Sequence, residues 1–235
     1  MKRGARRMWP WIAAWSVVLV ACTILGVVTR VSYTDVGDGI GALPYAPMPY
    51  SNAQIDREAE LTPELIGYGP LEGAEAVLRV ERTGERRLVP VATLTRVRVT
   101  SVLAGDGFEP DDEIELYEPI GLSEWDGGRL LVPEAAYRYG GVFMREGAEY
   151  LVFVNRADPR RAVPEAYTLA EHPFAKIPLS DDVPIRICET DREQLPISEY
   201  EAFDLLAADE ASGDGYLARR DEVLAMVGLE AMSEE

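Results

Sequence analysis

Twenty residues, Trp9 to Val28, pass without a charged side chain, and any fold for this chain must find a place for that run. At a rise of ~1.5 Å per residue, a helix of this length spans ~30 Å, the hydrocarbon thickness of a bilayer. Trp9, Trp11 and Trp15 lie in its first half, where amphipathic rings suit the headgroup level. Pro10 falls in the first turn, where its missing N–H costs little. Lys2, Arg3, Arg6 and Arg7 precede the run, with no acid among them. The pattern predicts a cytoplasmic basic tail over residues 1–8 and a transmembrane helix over residues 9–28. The C-terminal bulk is then extracytoplasmic, on a single-pass protein of the cell membrane.

Two other fates compete. A cleaved signal peptide has an apolar core of ~7–15 residues and a small-residue cleavage site. Here the run is longer, and its exit reads Val27-Val28-Thr29-Arg30. Leu19-Val20-Ala21-Cys22 resembles a bacterial lipobox, but the residues after Cys22 stay apolar. An uncleaved signal-anchor is the leading expectation, with a lipoprotein lipidated at Cys22 or a secreted, inhibitor-like barrel as alternatives.

Charge is distributed just as unevenly. All 41 acids lie beyond residue 30, with 18 of the 23 basic residues, so residues 31–235 carry a net charge of −23. A surface of that sign disfavours nucleic acid, which needs a basic footprint, and suits solubility or a cationic partner. Lysine occurs only at Lys2 and Lys176. Cys22 lies inside the apolar run, so no disulfide framework can be built from it and Cys188.

Residues 29–73 read as a tether. Gly37, Gly39, Gly41, Pro44, Pro47 and Pro49 break any hydrophobic period there, and a short helix is expected near Asp56–Glu60. Residues 74–195 read as β structure. Val77, Leu78 and Val80 alternate partly with Arg79 and Glu81. Val91 to Leu103 is the strongest segment. It carries Val91, Thr93, Thr95, Val97, Val99 and Leu103 on one face, with Arg96, Arg98 and Thr100 on the other. Such a length in a small domain predicts a bent strand. Further strands are expected at Glu113–Glu118, Arg129–Val132, Tyr150–Val154 and Tyr167–Leu169. The unbroken apolar run Tyr150–Val154 suits a strand covered on both faces. Residues 196–235 switch to helical period. Ser198-Glu-Tyr-Glu201 fits a capping box, with Ile197, Tyr200, Phe203 and Leu206 on one face. After Gly213-Asp214-Gly215, a second stripe of Leu217, Val223, Leu224 and Val227 ends at Gly228. Two C-terminal helices are therefore predicted.

The segments Thr95-Arg-Val-Arg-Val-Thr-Ser-Val-Leu-Ala-Gly105, Asp112-Glu-Ile-Glu-Leu-Tyr117 and Gly147-Ala-Glu-Tyr-Leu-Val-Phe-Val154 carry a resemblance. Together they are similar to membrane-anchored exported proteins of Gram-positive, actinobacterial-like bacteria. The similarity covers about 80 of the 235 residues and consists of strand patterning. It implies a small OB-like β-barrel outside the membrane, and it supplies no catalytic residue. The expected fold is thus mainly β (α+β): an N-terminal transmembrane helix, an OB-like barrel and two C-terminal helices.

Chemistry is sparse. Gly121-Leu-Ser123-Glu-Trp125 approaches a nucleophile elbow but lacks the final glycine, and any triad would depend on His172, the single histidine. A loop serine and a surface histidine explain both. No S-x-x-K motif precedes Lys176. One histidine and one cysteine beyond the apolar run cannot make a zinc site. Asp106, Glu109, Asp111, Asp112 and Glu113 crowd one turn but lack EF-hand spacing, so a solvated loop is expected there rather than calcium. No P-loop or Rossmann glycine pattern occurs. Trp125, beside Asp126, is read as a barrel-end cover before a stacking platform, and Cys188 as a small buried hydrophobe. No catalytic, cofactor or metal residue is expected. The expectation is a non-catalytic module of the cell envelope, binding an envelope protein or a cell-wall polymer. An envelope hydrolase built on carboxylates is the alternative.

Overall fold

In the computed structural model the described residues are 37–61, 71–89, 92–125, 128–133, 140–158, 163, 165–188 and 194–228. The predicted anchor Trp9–Val28, the basic tail before it and Cys22 lie outside them. No helix among the described residues is long and apolar enough to cross a membrane. From Ile40 onward the described residues belong to one compact unit.

Alternating apolar positions build its main sheet. Strands β2 (Ala76–Val89) and β3 (Ala92–Ala104) form a long antiparallel hairpin, with register shifts between Val77 and Leu78, between Arg79 and Val80, and between Arg82 and Arg86. Such irregularities bend a strand and increase its twist, as the length of Val91–Leu103 led us to expect. Thr93, Thr95, Val97 and Val99 are buried on one face. Leu94, from the opposite face, is buried too, against Ala157 and Ala166.

β4 (Glu113–Glu118) pairs with β3 and, in parallel, with β8 (Ala166–Leu169). β7 (Glu149–Arg156) pairs antiparallel with β2, β8 and β9 (Lys176–Pro178). Tyr150 to Val154 are all buried, as befits a strand flanked on both edges.

This sheet curls back on itself, but the barrel expected from the sequence is not closed. β9 occupies the edge of β7 at Tyr150–Val152, leaving β8 only Val154–Arg156. Among the described residues β9 pairs with no other strand. One side between β9 and the end of β4 is therefore left without a hydrogen-bonded ladder.

Smaller elements pack around it. The hairpin of β5 (Ile120–Trp125) and β6 (Gly128–Pro133) extends to β1 (Pro44–Tyr45) and β11 (Leu195–Pro196). β10 (Ile185–Ile187) and β12 (Leu205–Ala207) form a parallel pair, and Tyr50 bridges to Ala207. Ile40, Tyr45, Tyr50 and Ile55, from the segment read as a tether, are buried. The expected short helix is α1 (Asn52–Leu61).

The C-terminal segment corrects the sequence reading. Among the described residues one helix forms there, α2 (Glu210–Met226), not two. The expected capping box yields a single 3-10 turn, Ile197–Glu199, without a side-chain cap. Leu205, Leu206 and Ala207 are all buried, and pairing with β10 makes them a strand. The 3.6-residue spacing of Ile197, Tyr200, Phe203 and Leu206 is overridden by that pairing. Gly213 and Gly215 do not break α2. Gly215 admits α1 at close range: a Cβ there would lie 2.7 Å from Asn52 Nδ2, which donates to the Ala211 carbonyl at 3.0 Å. Past the helix, Gly228 takes φ +73°, the left-handed stop read from the sequence.

Candidate functional site

The open side of the barrel is bridged by charged side chains. Period-two alternation along β4 turns Ile114, Leu116 and Glu118 inward, and Glu118 is 0% exposed. Its carboxylate is surrounded by donors. The Thr95 hydroxyl donates to Oε1 at 2.5 Å. The Met144 amide donates to Oε2 at 2.8 Å. Lys176 Nζ, from β9, donates to Oε2 at 3.3 Å, and Arg86 Nε stands 3.5 Å from Oε1. Burial on its own pushes the Glu118 pKa up. Lys176 and Arg86, followed by the Thr95 and Met144 hydrogen bonds, outweigh it and hold the group below its ordinary value. Glu118 therefore remains a carboxylate, despite its burial.

A strap, Val142 to Met144, runs across the same opening, with all three residues buried. Its peptide groups are taken by the ions around it. Lys176 Nζ donates to the Val142 carbonyl. Arg86 Nη2 and Arg82 Nη1 donate to the Met144 carbonyl at 2.5 and 3.4 Å. The Arg86 guanidinium also lies 4.2 Å from the Phe143 ring centroid and donates to Glu201 at 2.6 Å. Upstream, the Tyr45 hydroxyl donates to the Gly141 carbonyl at 2.5 Å, and the Gly140 amide donates to Met48 at 2.7 Å. Gly140 has φ +73°, and a Cβ there would lie 2.7 Å from the Leu206 carbonyl. Only glycine fits at that entry to the strap.

A second buried carboxylate follows the strap. Asp204, with a side chain 0% exposed, accepts from Arg145 Nε and Nη2 at 3.0 and 2.7 Å through Oδ2. Its Oδ1 accepts from the Tyr150 hydroxyl at 2.5 Å, which itself accepts from the Arg145 amide at 2.7 Å. The bond to Asp204 raises the Arg145 pKa. Burial and then Asp204 push the Tyr150 phenol well up, so it stays a neutral donor. Beside Asp204 and Lys176 lies a cavity of about 40 Å³, lined also by Ile120, Gly141, Val142 and Tyr216 among others.

The residues singled out from the sequence lie elsewhere. Ser123 sits on β5, and no hydrogen bond joins it to His172 among the described residues. His172 is 8% exposed, not a surface group. Its Nδ1 accepts from the Phe174 amide at 3.0 Å, and burial lowers its pKa to about 4. A neutral imidazole whose acceptor is engaged is no general base for Ser123. The acidic turn is exposed, and its Asp112 Oδ2 accepts from the Glu109 amide at 2.8 Å. Among the described residues no three His, Cys, Asp or Glu side chains converge as metal ligands. Cys188 is buried, and the Trp125 side chain falls outside what is described.

Glu118, Asp204, Arg86 and Arg145 were not picked out as site residues. The signal for Glu118 was its parity with Ile114 and Leu116. The signal for Lys176 was a lone lysine between Ala175 and Ile177. No known protein family matches the sequence, and no curated protein matches it.

Proposed function

We propose that this chain is a bitopic membrane protein, held by Trp9–Val28 with its N-terminus in the cytoplasm. Its extracytoplasmic part is a non-catalytic, OB-like module that binds an envelope protein or a cell-wall polymer. The observation that carries the non-catalytic part is the saturation of the buried carboxylates. Both oxygens of Glu118 and both of Asp204 accept from fixed protein donors. General acid–base work needs a group free to meet substrate, and the adjoining cavity, about 40 Å³, is too small for a sugar ring. The six-stranded sheet, curled around one open side, also has the outline of a partly open, OB-like barrel. That supports the OB-like reading.

The test is crosslinking of the tagged full-length chain in cells, with a Trp9–Val28 anchor alone as control. Capture of a protein or wall polymer only when the module is present is expected. Turnover of a wall-derived substrate by the purified chain would sink the proposal.

A further inference from the structure

The strap and the sheet are held by different kinds of bond. From Gly141 to Met144 no backbone–backbone hydrogen bond occurs among the described residues. Side chains hold this stretch instead. Tyr45 and Lys176 donate to the Gly141 and Val142 carbonyls. Glu118 accepts from the Met144 amide, and Arg86 and Arg82 donate to the Met144 carbonyl. β7, which follows the strap in sequence, is tied by strand ladders on both edges. Glu118 is where the strap's bonds converge. Arg82 and Arg86 from β2 and Lys176 from β9 lie around it as cations. Thr95 from β3 and Met144 supply neutral donors. The Tyr150 ring of β7 lies 5.9 Å from Lys176 Nζ. Asp204, the other buried carboxylate nearby, is engaged by Arg145 and Tyr150.

The cations differ in what they keep when Glu118 is neutralised. Arg86 retains Glu201. For Lys176, 14% exposed, Glu118 is the sole ion-pair partner among the described residues. A buried cation stripped of its counter-charge must reach water or lose its proton. Water is close, because the cavity lined by Lys176, Pro119, Gly141 and Val142 is partly open to solvent. Turning outward costs Lys176 its bond to the Val142 carbonyl, and a protonated Glu118 accepts more weakly from the Met144 amide. We propose that protonation of Glu118 releases the strap Gly141–Met144 from the open side of the barrel while the surrounding sheet stays paired. The sign follows from the surroundings of Glu118. The cations and donors that hold its pKa low act in full only while the strap is closed. Closure is therefore favoured above the ordinary carboxyl range, and that preference is lost as pH falls through the lowered value.

The experiment is hydrogen exchange in the full-length chain, with protection factors compared between segments 140–144 and 150–154 as the pH is lowered from about 6 to about 3. Strap protection is expected to fall about tenfold or more before β7 loses any. Glu118→Gln carries no charge at this position, so its strap is expected to be poorly protected already at about pH 6 and to show no further fall. Lys176→Met leaves no buried lysine to turn outward, and its acid-induced fall is expected to be smaller than the parent's. Strap protection that does not change with pH overturns the proposal, and so does loss of protection by strap and β7 together. An undiminished acid response in Glu118→Gln overturns it as well, and assigns the response to His172 or Asp204. If Glu118→Gln does not fold, Lys176→Met decides, and a response equal to the parent's overturns the proposal.

Discussion

Glu118 is a buried carboxylate that survives by being surrounded, and its removal is costlier than its own bonds suggest. Glu118→Gln leaves Lys176 as a largely buried cation without a counter-charge and Arg86 with Glu201 alone. Breaking one side of such a group costs about 3–5 kcal/mol. Lys176→Met leaves Glu118 with Arg86, Thr95 and the Met144 amide, so the loss is smaller. The double variant is expected to be more stable than the sum of the two single losses predicts, as urea unfolding of the purified chain will show.

The two buried titrating groups also separate by pH. His172 has its folded pKa lowered to about 4 from an ordinary value near 6.5, so the unfolded chain takes up its proton first. Its share of stability, about 2–3 kcal/mol, is present above pH 6.5 and is lost as pH falls towards 4. Glu118, with a lowered pKa, contributes stability above its unfolded pKa and loses it only at still lower pH. Stability curves of the parent and of His172→Asn separate the two. Asparagine keeps an acceptor for the Phe174 amide and is expected to flatten the curve between pH 6.5 and 4. An undiminished slope there assigns the acid sensitivity elsewhere.

At the scale of elements, α2 begins on a cap that the hydrophobic period did not mark. Asp209 accepts from the Ser212 amide at 2.7 Å, and its hydrogen bonds to Ser212 hold its pKa low. Asp209→Ala is expected to lower the Tm by about 2–4 °C, measured above pH 5, where the carboxylate is charged. The strands were the legible part of this fold. β3, β4, β7 and β8 lie close to where alternation and apolar runs place them, because burial on a sheet face imposes a period of two on the sequence itself. The C-terminal stretch was not legible. Ile197 to Leu206 has helical spacing, but Leu205–Ala207 pairs with β10, and that partner lies outside any local window. Pro44 to Ile55 was illegible for the same reason. Its prolines hide Tyr45, Tyr50 and Ile55, which are buried by residues far along the chain. The site itself was half legible. The parity of β4 turns Glu118 inward, but nothing in one strand reveals that Arg86, Lys176 and Met144 meet it.

For the whole molecule, the open side of the barrel sets a kinetic order. The strap Val142–Met144 is clipped by Arg86, Glu118 and Lys176, which come from β2, β4 and β9. None of these clips exists until three distant strands have assembled, and contacts of such high sequence separation close late. Strap variants such as Phe143→Leu should therefore speed unfolding and leave the refolding rate nearly unchanged, as the two arms of a chevron plot would report. A slowed refolding arm would instead place the strap in the folding nucleus. Of all the buried segments, this strap should be the last to settle and the first to let go.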